Sequence, residues 1–196
     1  MTDDLVGRPL AGPARTHPLA RAELDPEQAA VHDAVATGPR AAQARVPLVD
    51  DRGRLLGPFG VMLRSPRIGG AVQQVGAALR TDPDLPPRLR ELAIMTVAAH
   101  TRSEFEWTAH EAAARDTGLT TPQLQALLDG APPPELTDAE ACAVELGRTL
   151  LSTHAVPDEL YARARAALGE RSLAALTWLI GYYAMLAGAL AVFRPG

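Results

Sequence analysis

Glu106 and His110 stand four residues apart in the run Ser103-Glu-Phe-Glu106-Trp107-Thr-Ala-His110. On an α-helix that interval places both side chains on one face, with Ser103 about one turn earlier on the same face. Glu91 lies 19 residues before His110, at the start of the preceding helical segment. A short connection lets the second helix pack back antiparallel on the first, so two carboxylates and an imidazole meet between them. Such a group takes a proton from one atom and returns it to another, which is general acid–base chemistry. The plainer reading of a Glu–His pair at this spacing is a solvated surface pair worth a few tenths of a kcal/mol.

Other residues are weaker candidates. Carboxylate and imidazole ligands suit iron, manganese or zinc, so Glu91, Glu106 and His110 are a conceivable metal set. No second histidine-bearing helical motif supports one, and neither a metal nor a cofactor is expected. Trp107 beside the polar face is a candidate wall for a substrate pocket, although aromatics at helical spacing are usually core. His100 near a helix end is more simply a partner of the helix dipole. His17, His32 and His154 read as surface or packing residues. Tyr182 and Tyr183 interrupt a long apolar stretch; one hydroxyl reaching the pocket is one reading, an ordinary buried hydrogen bond the other.

The elements that must position these residues are all helical. Residues 1–24 mix proline, glycine, alanine and arginine without a period and read as an extended arm, leaving 25–196 as a single helical domain. Asp25 with Pro26 and Gln28 predicts a capped helix that stops near Gly38-Pro39. Residues 45–58 carry loop chemistry in Pro47, Asp50-Asp51, Gly53 and Gly57-Pro58. A short turn of helix is predicted over Phe59–Leu63, then a helix from Ser65-Pro66 to about Arg80. From Arg88 the residues Leu89, Leu92, Ala93, Met95, Thr96 and Ala99 recur at three and four, predicting a helix to about His100. Ser103 caps a helix ending at Asp116-Thr117-Gly118, and Pro122 opens a short one ending at Gly130. Thr137 and Glu140 form a capping box for a helix through about His154. Another runs from Pro157 to Gly169, and the last occupies Leu173–Phe193. No alternating β-branched run occurs, so the fold class is all-α with about eight helices.

Composition narrows the partners. All 19 basic residues are arginine, and against 23 acidic residues they leave a net charge of −4. A mildly acidic chain with scattered arginines lacks the basic stripe that a phosphate backbone requires, so no nucleic acid is expected. The single cysteine, Cys142, excludes an internal disulfide, a CxxC pair and a thiolate cluster. The acidic start, Met-Thr-Asp-Asp, is followed by no apolar h-region, which reads as cytoplasmic. Leu173–Phe193 is 21 residues without a charge, long enough to span roughly 30 Å of hydrocarbon. Its richness in alanine and glycine favours a buried axis or an oligomer interface over a membrane span.

The segment Arg90-Glu91-Leu92-Ala93-Ile94, followed by Phe105-Glu106-Trp107-Thr-Ala-His110 and by Ala113 to Gly118-Leu119, resembles the carboxymuconolactone decarboxylase family, which is related to alkylhydroperoxidase D. Leu56-Gly57-Pro58-Phe59, Met62-Leu63 and Ser65-Pro66 resemble its longer members, so the likeness spans roughly residues 19–193. The resemblance implies an all-helical, alkylhydroperoxidase D-like bundle that forms a homo-oligomer, whether dimer, trimer or hexamer. The peroxidase branch carries a glutamate, a Cys-x-x-Cys pair and a histidine. Here Ser103, Glu106 and His110 lie 12, 15 and 19 residues after Glu91, so the relay ends match while both thiols are replaced. Peroxide reduction needs a thiolate and a resolving thiol, and neither serine nor glutamate supplies one.

The resemblance to the decarboxylase branch of that family implies a cofactor-free lyase or isomerase acting on a small organic acid or lactone. In that scheme His110 donates the proton, Glu106 tunes or shares it, and Glu91 orients the relay. Ser103, Arg102 and Trp107 are the substrate-binding candidates, with Arg102 as a carboxylate clamp. Two alternatives stand beside it: a non-catalytic small-molecule-binding or assembly protein of the same fold, and a metal-dependent oxidoreductase.

Overall fold

Helix caps written into the sequence organise the chain. The computed structural model describes residues 13–38, 41–42 and 44–196. Among them it has eight α-helices and no strand: α1 (Pro26–Ala36), α2 (Pro58–Met62), α3 (Pro66–Thr81), α4 (Pro87–Thr101), α5 (Glu104–Asp116), α6 (Thr121–Leu128), α7 (Asp138–Thr153) and α8 (Asp158–Phe193). Asp25 and Gln28 form the reciprocal box that starts α1, and Thr137 and Glu140 do the same for α7. Each box satisfies backbone N–H groups that a helix start leaves without intrahelical partners. A third box, Thr120 with Gln123, starts α6 one residue ahead of Pro122.

The described residues gather into two compact units. The first holds Asp82–Ala184 and carries every candidate site residue. Its axis is α4, where the run from Glu91 to Ala98 is buried without interruption. A helix apolar on all sides needs neighbours on all sides, and α4 packs against α5, α6 and α7. Leu92, Met95 and Ala98 of α4 join Trp107 and Ala114 of α5, Leu124 and Leu127 of α6, and Val144 of α7 in one core cluster. Gly147 of α7 brings that helix close: a Cβ there would stand 3.3 Å from the Thr96 methyl.

The second unit comprises the described residues up to Thr81 together with Met185–Gly196. In it α2 packs against α3, and α1 against both. Gly69 permits the α2–α3 approach, since a Cβ there would lie 2.3 Å from the carbonyl oxygen of Met62. Of the arm predicted over 1–24, residues 1–12 lie outside the described part. The remainder is tied down rather than free: the Arg15 N–H donates to the Arg194 carbonyl at 3.0 Å, and the Gly196 N–H to the Thr16 carbonyl at 3.2 Å.

The two helices predicted after Pro157 are both present, as the two arms of α8. Its break comes where expected, at Gly169, whose φ of 78° and ψ of 165° are non-helical. Glycine adopts that conformation without the steric cost a Cβ brings. By length and composition α8 is the one helix among the described residues long and apolar enough to cross a membrane. Leu173, Leu176, Leu179 and Ile180 are nevertheless buried in protein, and the Ser172 hydroxyl donates to the Asp84 carbonyl at 2.7 Å.

Candidate functional site

A two-residue reversal builds the site. Arg102 takes the left-handed conformation (φ 53°, ψ 38°) as the C-cap of α4, and the Ser103 N–H donates to the Ala98 carbonyl at 3.0 Å. Ser103 is then the N-cap of α5, its hydroxyl accepting from the Glu106 N–H at 3.4 Å. The chain thus turns back on itself with no loop, and α5 lies along α4.

That reversal brings Glu91 and His110 together. His110 Nδ1 stands 2.9 Å from Glu91 Oε2. Glu91 is only 5% exposed, while the imidazole is half-buried. An ionised carboxylate only accepts hydrogen bonds, so opposite an ionised Glu91 it is Nδ1 that donates. Nε2 lies 3.1 Å from the Tyr183 hydroxyl on α8, with the two rings edge to face at 5.2 Å and 88°. Glu91 Oε1 accepts from the neighbouring Arg90 Nε at 3.4 Å. Arginine, carboxylate, imidazole and phenol therefore form a connected chain across α4, α5 and α8.

The other candidates are placed as follows. Glu106 is 3% exposed and sits one helical turn before His110. Ser103 is buried and spends its hydroxyl on the cap of α5. Trp107 is 3% exposed within the core cluster rather than on an open wall. Arg102 is exposed and serves the backbone reversal. Among the described residues no group of three or more His, Cys, Asp and Glu is gathered as a metal ion requires. Cys142 is buried on α7. His32 is a buried structural residue, its Nε2 2.8 Å from the Gly53 carbonyl oxygen.

Two members of the chain escaped a firm reading in the sequence. Tyr183 is 73 residues from His110, and its neighbour Tyr182 was an equal candidate. Arg90 adjoins Glu91, and residues i and i+1 on a helix do not normally face each other.

A second polar cluster secures the scaffold beneath the site. Arg88 Nε donates to Glu140 Oε1 at 2.5 Å, and its other nitrogens reach the Thr117 carbonyl and Gln123 Oε1 at 3.4 Å. It thereby joins the start of α4 to the end of α5 and the starts of α6 and α7. Burial alone would raise the Glu140 pKa. The Thr137 backbone N–H and the Arg88 guanidinium outweigh that and hold it below its usual range.

Residues 66–148 match the carboxymuconolactone decarboxylase family. None of the curated proteins compared matches the sequence. Among solved structures, the alkylhydroperoxidase AhpD core of an uncharacterized peroxidase-related protein from Ralstonia eutropha JMP134 is similar over 95% of this chain and 94% of its own, at 14% identity and a TM-score of 0.70. A protein of unknown function from Agrobacterium tumefaciens, provisionally described as the antioxidant defence protein AhpD, is similar over 68% of this chain and 92% of its own, at 20% identity and a TM-score of 0.59. At these identities the likeness is one of fold. Glu91 and His110 both fall inside the matched segment. The chain thus carries a carboxymuconolactone decarboxylase family segment over residues 66–148, within a fold similar to those of the two AhpD-like structures.

Proposed function

We propose that this chain is a cofactor-free lyase or isomerase of the decarboxylase type, working on a small organic acid or lactone by proton transfer through His110. The observation that carries the reading is the 2.9 Å contact between His110 Nδ1 and the buried Glu91 carboxylate. Loss of carbon dioxide beside an unsaturated lactone leaves an enolate-like carbanion, which must be stabilised and then protonated on carbon. Glu91 fixes the imidazole ring and offsets the charge His110 carries when it holds a second proton. Glu106 supplies a second buried carboxylate one turn away on α5. The peroxidase-related name of the Ralstonia protein is not carried over, because positions 103 and 106 hold serine and glutamate and Cys142 is buried on another helix.

Self-association is part of the same proposal. Trp178 is 71% exposed on α8, and no charged residue occurs from Leu173 to Phe193. An exposed indole on an uncharged helix face is a liability in water. A second copy presents the same face, as a two-fold interface requires, whereas a charged partner would find no counter-charge there.

The direct test is incubation of the purified protein with carboxymuconolactone, without added metal or reductant, while carbon dioxide release is followed. Release above the uncatalysed rate is the expected result. A folded protein that binds the lactone without releasing carbon dioxide would overturn the lyase reading in favour of a non-catalytic binder.

A further inference from the structure

We infer that Tyr183, rather than His110 itself, is the group that exchanges the proton with substrate; the inference rests on the lyase reading above. Both nitrogens of the His110 ring are engaged, Nδ1 by Glu91 at 2.9 Å and Nε2 by the Tyr183 hydroxyl at 3.1 Å. A proton leaving the ring must therefore pass through one of those two partners. Glu91 is a poor exit. Its Oε2 faces Nδ1 and its Oε1 accepts from Arg90, so both of its oxygens are already engaged within the protein. A phenol hydroxyl is different in kind, because one oxygen both donates and accepts. It can take a proton on one side as it gives one on the other.

The proton count closes. In the loaded state His110 carries protons on Nδ1 and Nε2, the first toward Glu91 and the second toward the Tyr183 oxygen. When the carbanion forms, the Tyr183 O–H bond breaks and its proton goes to the substrate carbon. The Nε2–H bond breaks at the same time and its proton re-forms the phenol. Tyr183 ends neutral, with its hydroxyl donating to Nε2, and His110 ends neutral with Nδ1 still protonated toward Glu91. One proton taken up from water at the Tyr183 oxygen, as the phenol passes its own proton to Nε2, reloads the ring. The phenol is also placed by packing: Tyr183 is 6% exposed, meets His110 edge to face, and meets Tyr182 at 5.3 Å and 84°. Such aromatic pairs restrict the ring beyond simple burial.

The test pairs a spectroscopic readout with turnover. In wild-type protein with Tyr 13Cζ and His 15N labels, the Tyr183 and His110 signals should move together over one pH interval, and Tyr183→Phe should shift the interval in which His110 titrates. With carboxymuconolactone as probe, Tyr183→Phe should lower kcat by about 100-fold or more with KM little changed. Independent movement of the two signals overturns the inference, whatever the activity. So does wild-type kcat in the Phe variant. If the signals are coupled but wild-type protein releases no carbon dioxide, the lactone reading has failed while the hydroxyl–imidazole chain stands.

Discussion

His110 on α5 meets Glu91 on α4 through a single 2.9 Å contact at Nδ1, and that contact exists because two residues, Arg102 and Ser103, turn the chain without a loop. The placement of these two side chains therefore depends on backbone geometry some distance along the chain from them. Helices held by so short a connection position side chains more closely than loops do.

Arg102 is the first place to probe that dependence. A residue with a Cβ pays roughly 1–2 kcal/mol for the left-handed conformation it adopts, and glycine largely escapes this. Arg102→Gly should raise stability by about 0.5–1 kcal/mol after the extra flexibility of unfolded glycine is deducted. Because Arg102 is exposed and serves the cap, KM for carboxymuconolactone should not change. Denaturant titration and steady-state kinetics measure the two quantities, and a several-fold rise in KM would restore Arg102 as a carboxylate clamp.

Arg88 and Glu140 predict an acid sensitivity. The Glu140 pKa is held below its ordinary 4.5 in the folded protein. A depressed carboxylate contributes stability that is present above the unfolded value and is lost as pH falls from there through the folded value. Melting temperatures of wild type should therefore fall below about pH 4.5 more steeply than those of Glu140→Gln. Arg88→Met should cost about 1–3 kcal/mol at neutral pH, because it leaves a mostly buried carboxylate without its cation. Parallel pH–melting curves for wild type and Glu140→Gln would show that the cluster does not act this way.

Cys142 should be chemically silent. It is buried on α7, and the chain has no second thiol. A buried thiol in apolar surroundings is a poor nucleophile. Thiol-dependent turnover of cumene hydroperoxide should be absent from wild type and from Cys142→Ser alike. Turnover that vanishes in the Ser variant would contradict this and revive a peroxidase role.

Trp178 tests self-association. Burying a large apolar side chain is worth about 1.5–3 kcal/mol, so replacing an indole at the centre of an interface with a charge should dissociate it. Light scattering should find a detergent-free oligomer for wild type and a monomer for Trp178→Arg. A wild-type monomer would refute the interface, and recovery only in detergent would point to a membrane.

Much of this arrangement is legible in the sequence because it is local. Asp25 with Gln28 and Thr137 with Glu140 announce their helices, since a capping box depends on residues three apart. The Glu91–His110 contact is nearly local as well: Ser103 marks a helix start just after another helix must end, and the helical period does the rest. Tyr183 is not local. Which residues of an uncharged 21-residue run face inward depends on how α8 lies in the unit, and apolar residues on every side leave no stripe from which to read it. The left-handed turn at Arg102 was hidden for another reason, since glycine or asparagine usually marks that conformation and arginine does not. Trp107 stands beside polar residues in the chain, yet it belongs to the buried cluster with Leu92, Met95 and Ala98.

The most direct measurement of the central claim is carboxymuconolactone turnover in D2O by wild type, Glu91→Gln and His110→Gln. The relay predicts a wild-type product carrying one deuterium on the protonated carbon, and rates lower by about 100- to 10,000-fold in His110→Gln with its melting temperature little changed. Glu91→Gln, which can no longer offset the imidazolium charge, should also be slowed, and by less. A His110→Gln variant that turns over the lactone at the wild-type rate would contradict the account outright.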